Sequence, residues 1–147
     1  MNKLRNQAIT LSSDYISNPS DTLWSDVNHL CLKKGPDGSQ IVFCINNKSS
    51  SGDSYKASIG GFQPNDKVVE VLRCRTTTAD GVGNVTMYMG QGEPRVYVPA
   101  TVLNGTGLCS ETQVDGPVEE KSGAAALGVT GGVFIAAVVG WAMMILA

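Results

Sequence analysis

Residues 68–109 read VVEVLRCRTTTADGVGNVTMYMGQGEPRVYVPATVLNGTGLC, and this stretch indicates the fold. Runs of β-branched or alternating apolar residues predict three strands, at 68–74, 84–89 and 94–98. Turns rich in glycine separate them at 80–84 and 90–92. The stretch predicts an antiparallel sheet, and nothing in it has the pattern of a catalytic motif.

The cysteines bracket parts of this sheet. If Cys74 and Cys109 pair, they close a loop of about 35 residues. The loss of chain entropy in the unfolded state would then stabilise the fold by roughly 3–4 kcal/mol. The other two cysteines are Cys31 and Cys44, and no two of the four have C-x-x-C spacing. Because His29 is also the only histidine, the sequence argues against a zinc site. The even count favours disulfides if the compartment is oxidising.

Upstream of this stretch the pattern predicts a hairpin and one more strand. Strands at 29–34 and 40–45 flank the turn GPDG at 35–38, and a further strand is predicted at 54–59. In that hairpin Cys31 faces Cys44, either as a cross-strand disulfide or as two packed thiols. Six short strands at near-regular spacing predict an all-β fold, an antiparallel Greek-key β-sandwich.

The N-terminal segment has a different pattern. Leu4, Ala8 and Ile9 share one face of a short amphipathic helix, and residues 14–26 have the composition of a connector. Residues 1–7 lack the apolar region of a signal peptide.

Charge and sequons narrow the class of partner. The chain of 147 residues carries 11 basic and 13 acidic side chains, which argues against a nucleic-acid partner because phosphate binding needs a concentrated basic surface. Three N-glycosylation sequons begin at Asn47, Asn84 and Asn104. Together with the paired cysteines they favour the secretory route.

Every charged side chain precedes Ser122, so the tail 122–147 is uncharged. Small residues from Ser122, an eight-residue spacer at 125–132 and an apolar run at 133–147 predict a glycosylphosphatidylinositol (GPI) signal with Ser122 as the attachment site. The alternative is a C-terminal hydrophobic helix at 127–147, just long enough to span a bilayer. Either needs entry to the endoplasmic reticulum, yet residues 1–7 do not have the pattern of a signal peptide. We therefore expect this sequence to be a C-terminal fragment or a truncated gene model.

Several runs resemble the C-terminal domain, domain C, of fungal alpha-amylases of glycoside hydrolase family thirteen. The runs are KGPDGSQIV (34–42), NK (47–48), SGDSY (51–55), VEVLRC (69–74), GEPRVYVP (92–99) and GLCS (107–110). The resemblance covers residues 3–110 and implies an eight-stranded Greek-key sandwich that follows a catalytic barrel. It implies the Cys74–Cys109 disulfide but gives no support to Cys31–Cys44, positions that are typically apolar in the secreted enzymes.

The resemblance also divides the chain. Residues 1–27 would be the end of the last barrel helix and a connector, and residues 28–110 would be domain C. A polar spacer at 111–121 and the anchor signal at 122–147 would follow. The tail is similar to that of the GPI-anchored branch, which includes alpha-amylase-like enzymes and 4-alpha-glucanotransferases.

The resemblance implies that the chemistry lies outside this chain. The family's retaining mechanism uses a carboxylate nucleophile and a carboxylic acid about 5 Å apart, and the resemblance places these carboxylates and the calcium ligands upstream of Met1. Independent catalytic patterns are missing too, since the sequence has no G-x-S-x-G and no P-loop. We therefore expect no catalytic residue, no metal ligand and no cofactor here.

Four aromatic side chains could stack on sugar rings or simply pack the fold: Trp24, Phe62, Tyr88 and Tyr97. We predict a non-catalytic domain and anchor signal of an enzyme that hydrolyses or transfers alpha-1,4-glucan at the cell surface. Its partners would be the upstream barrel, the membrane and alpha-glucan. The alternative is a stand-alone anchored module that binds carbohydrate or serves the cell wall.

Overall fold

Two β-sheets and one α-helix form the part of the chain that the structure describes, residues 2–48, 54–110 and 113–114. The structure is a computed structural model. The helix α1 spans Asn2–Leu11, and short 3-10 turns span Ser13–Tyr15 and Ala100–Leu103. The strands are β1 Ser20–Ser25, β2 His29–Lys34, β3 Ile41–Asn46, β4 Tyr55–Ile59, β5 Lys67–Glu70, β6 Arg75–Thr78, β7 Val85–Met89, β8 Arg95–Pro99 and β9 Gln113–Val114.

The larger sheet has the strand order β1-β2-β3-β8-β5-β6-β9, and β4 pairs with β7 in the smaller one. Every pair is antiparallel except β6 with β9. The predicted antiparallel sandwich with a short N-terminal helix is confirmed. The predicted hydrophobic helix at 127–147 lies outside the described residues.

The inner core lies between the two sheets. Strand β7 shows why: Val85, Met87 and Met89 are buried while Thr86 is exposed, which is the period-two alternation seen in the sequence. These side chains pack against Val42 and other buried residues of the larger sheet.

Strand β8 is buried on both faces. Val96 and Val98 point away from the inner core and pack with Leu4 of α1 and with Val102. Tyr97, on the opposite face, belongs to the inner core. The helix α1 therefore closes part of the second face of the larger sheet, and Leu4 and Ala8 are fully buried there.

The strand predicted at 68–74 is wrong beyond Glu70. The chain turns at 71–74 and returns as β6, which pairs with β5. The carboxylate of Glu70 accepts hydrogen bonds from the backbone N–H groups of Leu72 and Arg73, which holds the turn. Cys74 completes it at φ 53, in the left-handed region.

The predicted connector at 14–26 contains a strand instead. Its residues Ser20–Ser25 form β1, which pairs with β2 at the edge of the larger sheet. The register shifts between Thr22 and Trp24, so Leu23 is the extra residue of a β-bulge.

Both cysteine pairs are joined in the structure. Cys31 and Cys44 face each other across β2 and β3, as the hairpin pattern predicts, and form a fully buried disulfide. A second disulfide joins Cys74 to Cys109. The first holds neighbouring strands together, whereas the second ties the β5–β6 turn to the segment after β8.

Candidate functional site

Strands β2 and β3 carry apolar side chains that the cluster around Leu4 of α1 covers only in part. We call Leu30, Leu32, Ile41, Phe43 and Ile45 the outer face. Leu30 pairs with Ile45 and Leu32 with Phe43, so these side chains form rows across the sheet. The rows continue into the cluster around Leu4 and Val96, because Phe43 also pairs with Val96.

The outer face is only half buried, and Ile45 is 38% exposed. An antiparallel sheet that faces water on one side is usually polar there. The outer face instead carries these five apolar side chains, with Lys34 beside Ile41 and Thr22 beside Leu32 at its edge. Apolar surface of this kind is typical of an interaction site.

A second feature is a polar and aromatic cluster at the edge of the sandwich. We call Trp24, Asp26, His29 and Tyr55 the histidine cluster. His29 Nδ1 donates to Asp26 Oδ1 at 2.8 Å, and its Nε2 is hydrogen-bonded to the Tyr55 hydroxyl. The Trp24 ring stacks on the imidazole, with ring centroids 4.0 Å apart and an interplanar angle of 14°.

The electrostatics of the cluster follow from these contacts. The backbone N–H of Asn28 donates to Asp26 and is the main cause that lowers the pKa of the Asp26 carboxyl, while the hydrogen bond from the His29 side chain adds to the effect. Because that carboxylate is ionised, the proton sits on His29 Nδ1, and Nε2 accepts from the Tyr55 O–H. Burial, with a smaller contribution from the Asp26 charge, raises the pKa of Tyr55, which keeps the phenol protonated as the donor.

The cluster joins the two sheets. Asp26 and His29 belong to the turn and strand that follow β1, and Tyr55 begins β4 in the smaller sheet. The ammonium of Lys48 lies 4.4 Å from the Tyr55 ring centroid and adds a cation–π contact. The sequence marked His29 only as the single histidine, and the Asp-x-x-His spacing at a strand start is the signal that could have identified its Asp26 partner.

The structure separates the four aromatic candidates for sugar stacking. Phe62 and Tyr97 are 6% and 1% exposed in the inner core, so neither can stack on a sugar ring. Trp24 and Tyr88 are half-buried. Only these two present ring surface outside the core.

The sequons differ in their surroundings. Asn47 and Asn104 are exposed. Asn84 is half-buried, and its side-chain amide donates to Asp80 Oδ2 at 3.4 Å. Glycosylation of the three stays a prediction, and Ser122 lies outside the described residues.

The buried carboxylate of Glu70 accepts backbone hydrogen bonds. Besides the two N–H groups of the β5–β6 turn it accepts the N–H of Val96 at 3.3 Å, so it links β5, the turn and β8. In the part of the chain that the structure describes, no three acidic, histidine or cysteine side chains converge as metal ligands would. Among those same residues, no helix has the length and hydropathy needed to span a bilayer.

Known proteins are similar to this chain in sequence and fold. A family model described as alpha-amylase, domain C, matches residues 22–117. Alpha-amylase 1 of Schwanniomyces occidentalis is 32% identical over 112 residues, which are 76% of this chain and 22% of that protein. Alpha-amylase 2 of the same organism is 34% identical over 110 residues, 75% of this chain and 22% of that protein.

The solved structure of an alpha-amylase from Malbranchea cinnamomea superposes with a TM-score of 0.66 at 29% identity and covers 74% of this chain and 23% of that one. The chain thus spans about a fifth of the length of the curated relatives that it matches. Because the family model matches well over half of the residues, the chain belongs to the alpha-amylase domain C family, a non-catalytic domain of glycoside hydrolases.

Proposed function

We propose that this chain is the C-terminal domain of a larger alpha-amylase-type enzyme and that its outer face packs against the catalytic barrel. The observation that carries the proposal is the half-buried apolar outer face, of which α1 and the cluster around Leu4 cover only part. A catalytic domain that precedes α1 in the chain would meet the sheet on this side, since α1 already lies there.

The parent enzyme would hydrolyse or transfer alpha-1,4-glucan by a retaining mechanism. Its carboxylates and calcium ligands would belong to the barrel, and the difference between hydrolase and transferase would lie in barrel loops. The relatives named alpha-amylase, of which this chain matches 22%, support this reading.

The tail would tether the enzyme outside the cell. Small residues from Ser122, the spacer and the apolar run at 133–147 support a GPI signal. Release of the native protein from membranes by a phosphatidylinositol-specific phospholipase tests this. Retention after the treatment would favour a membrane-spanning helix at 127–147 instead.

The size of the native polypeptide tests whether this chain is part of a larger enzyme. In Schwanniomyces alpha-amylase 1, 112 matched residues are 22% of the length, which puts that protein at about 500 residues. An antibody against this domain should therefore detect a deglycosylated polypeptide several times larger than 15.4 kDa. A native polypeptide of about 15 kDa would refute the proposal and favour the stand-alone anchored module.

A pair of matched substitutions tests the outer face. Ile45→Asp puts a charge on that face, whereas Val82→Asp does so in a turn where the side chain is 78% exposed. In the parent enzyme, Ile45→Asp should lower the melting temperature more than it does in this chain alone, because the buried charge would be unpaired at the barrel contact. Equal effects of Ile45→Asp in both proteins would contradict a contact there.

A further inference from the structure

A groove of about 430 Å³ lies between the two edge strands β1 and β4. Leu23 and Trp24 line one side, and residues 56–60 line the other. The β-bulge at Leu23 creates this arrangement, because it brings two consecutive half-buried side chains of β1 to the same opening. Bulges at sheet edges commonly re-aim side chains in this way.

Trp24 is held rigidly in the groove wall. Stacking on His29 covers one face of the indole, and His29 is itself fixed at both ring nitrogens by Asp26 and Tyr55. The indole surface that lines the groove is therefore presented in one orientation. An aromatic ring held in advance binds a flat apolar partner with little further loss of side-chain entropy.

The facing wall is open and mixes the apolar Ala57 and Ile59 with polar groups. Lys56 and Ser58 alternate outward along β4 and are exposed. Among the described strands β4 pairs with β7 alone, so its other edge presents backbone N–H and C=O groups. The Lys56 ammonium lies 5.3 Å from the Tyr88 ring centroid, which places a second half-buried aromatic ring beside the rim.

The geometry points to a carbohydrate-binding site in this groove, with Trp24 stacking on a pyranose ring and β4 hydrogen-bonding the hydroxyls. A sugar ring has an apolar face edged by hydroxyl groups, so it needs one aromatic platform and several polar partners. A groove of this volume, with an aromatic ring on one wall and Lys56, Ser58 and the β4 backbone on the other, fits a small ligand of that kind. The choice of alpha-1,4-glucan as the sugar rests on the proposed function.

Titration of the full chain with maltoheptaose, followed by the amide shifts of residues 56–60, tests the site. We expect saturable shifts with a millimolar dissociation constant, at least about tenfold weaker binding in Trp24→Ala, and unchanged binding in Val82→Ala. Because Trp24→Ala could unfold the edge, Ser58→Met gives a second test. It leaves the core untouched, removes a hydroxyl and fills the groove, and should weaken binding at least about threefold.

No saturable shift at up to about 20 mM maltoheptaose, or binding that both variants retain, overturns the site. Equal binding of a beta-linked cello-oligosaccharide overturns the assignment to alpha-glucan. These failures are distinct from failure of the proposed function, which the size of the native polypeptide decides.

Discussion

Replacing Cys74 and Cys109 together by alanine tests how far the second disulfide stabilises the sandwich. The disulfide closes a loop of 35 residues that contains β6, β7 and β8. Chain entropy for that loop predicts a loss of about 3.8 kcal/mol in the free energy of unfolding at 25 °C. Such a loss is a large share of the roughly 5–15 kcal/mol that a domain of this size has. Both cysteines lie at φ 53, and alanine keeps the Cβ, so this backbone cost is the same before and after the change.

The assay is equilibrium urea unfolding without reductant, followed by far-ultraviolet circular dichroism. The matched control replaces Cys31 and Cys44, which close a loop of 13 residues with a predicted entropic loss of about 2.9 kcal/mol. There a packing cost adds to the entropy, because Cys44 Sγ lies 3.7 Å from Met87 Sδ in the core. A loss below about 1.5 kcal/mol for the Cys74 and Cys109 variant, at an unchanged m-value, would refute the entropic argument.

Three further outcomes follow from the same geometry. Gly83→Ala should lower the free energy of unfolding by more than about 2 kcal/mol in the same urea assay, because Gly83 has φ +86 and an added Cβ would lie 2.1 Å from the Phe62 carbonyl oxygen. The control Gly81→Ala, where an added Cβ meets open space, should change the free energy of unfolding by less than about 0.5 kcal/mol. Leu4→Ala should cost about 2–4 kcal/mol in thermal unfolding, and a loss below about 1 would mean that α1 does not stabilise β8. Hydrogen bonds lower the pKa of Asp26 in the folded state, so the stabilisation by its carboxylate is present above the unfolded pKa near 4 and disappears as the pH falls through the folded value. Asp26→Asn should therefore flatten the dependence of the urea midpoint on pH between about 2 and 5. A variant curve parallel to that of the original chain would contradict this.

The alternating strands were predictable because burial on one face imposes a period of two. The turn at 71–74 was not, because it has no glycine, proline or asparagine. The Glu70 carboxylate accepts two backbone hydrogen bonds in the turn, and Cys74 ends it in the left-handed conformation. Neither feature is visible as a local sequence pattern. A continuous apolar run thus concealed a hairpin.

Strand β1 was hidden for the opposite reason. Turn residues at 18–21 indicated a connector, yet ladder hydrogen bonds from β2 hold this edge strand in place. The histidine cluster could not be predicted from the sequence either, because Tyr55 is 26 positions beyond His29 and only the packing of the two sheets brings them together. The resemblance to domain C could be read from the sequence because its landmarks are contiguous runs in order.

The position of β9 decides where any tether leaves the domain. β1 and β9 occupy opposite ends of the larger sheet, six strand spacings of about 4.8 Å apart, or about 29 Å. Val114 therefore lies at the edge of the larger sheet opposite to Trp24. If the tail is a tether as proposed, its point of attachment to the domain and the groove beside Trp24 are therefore at opposite edges of the same sheet.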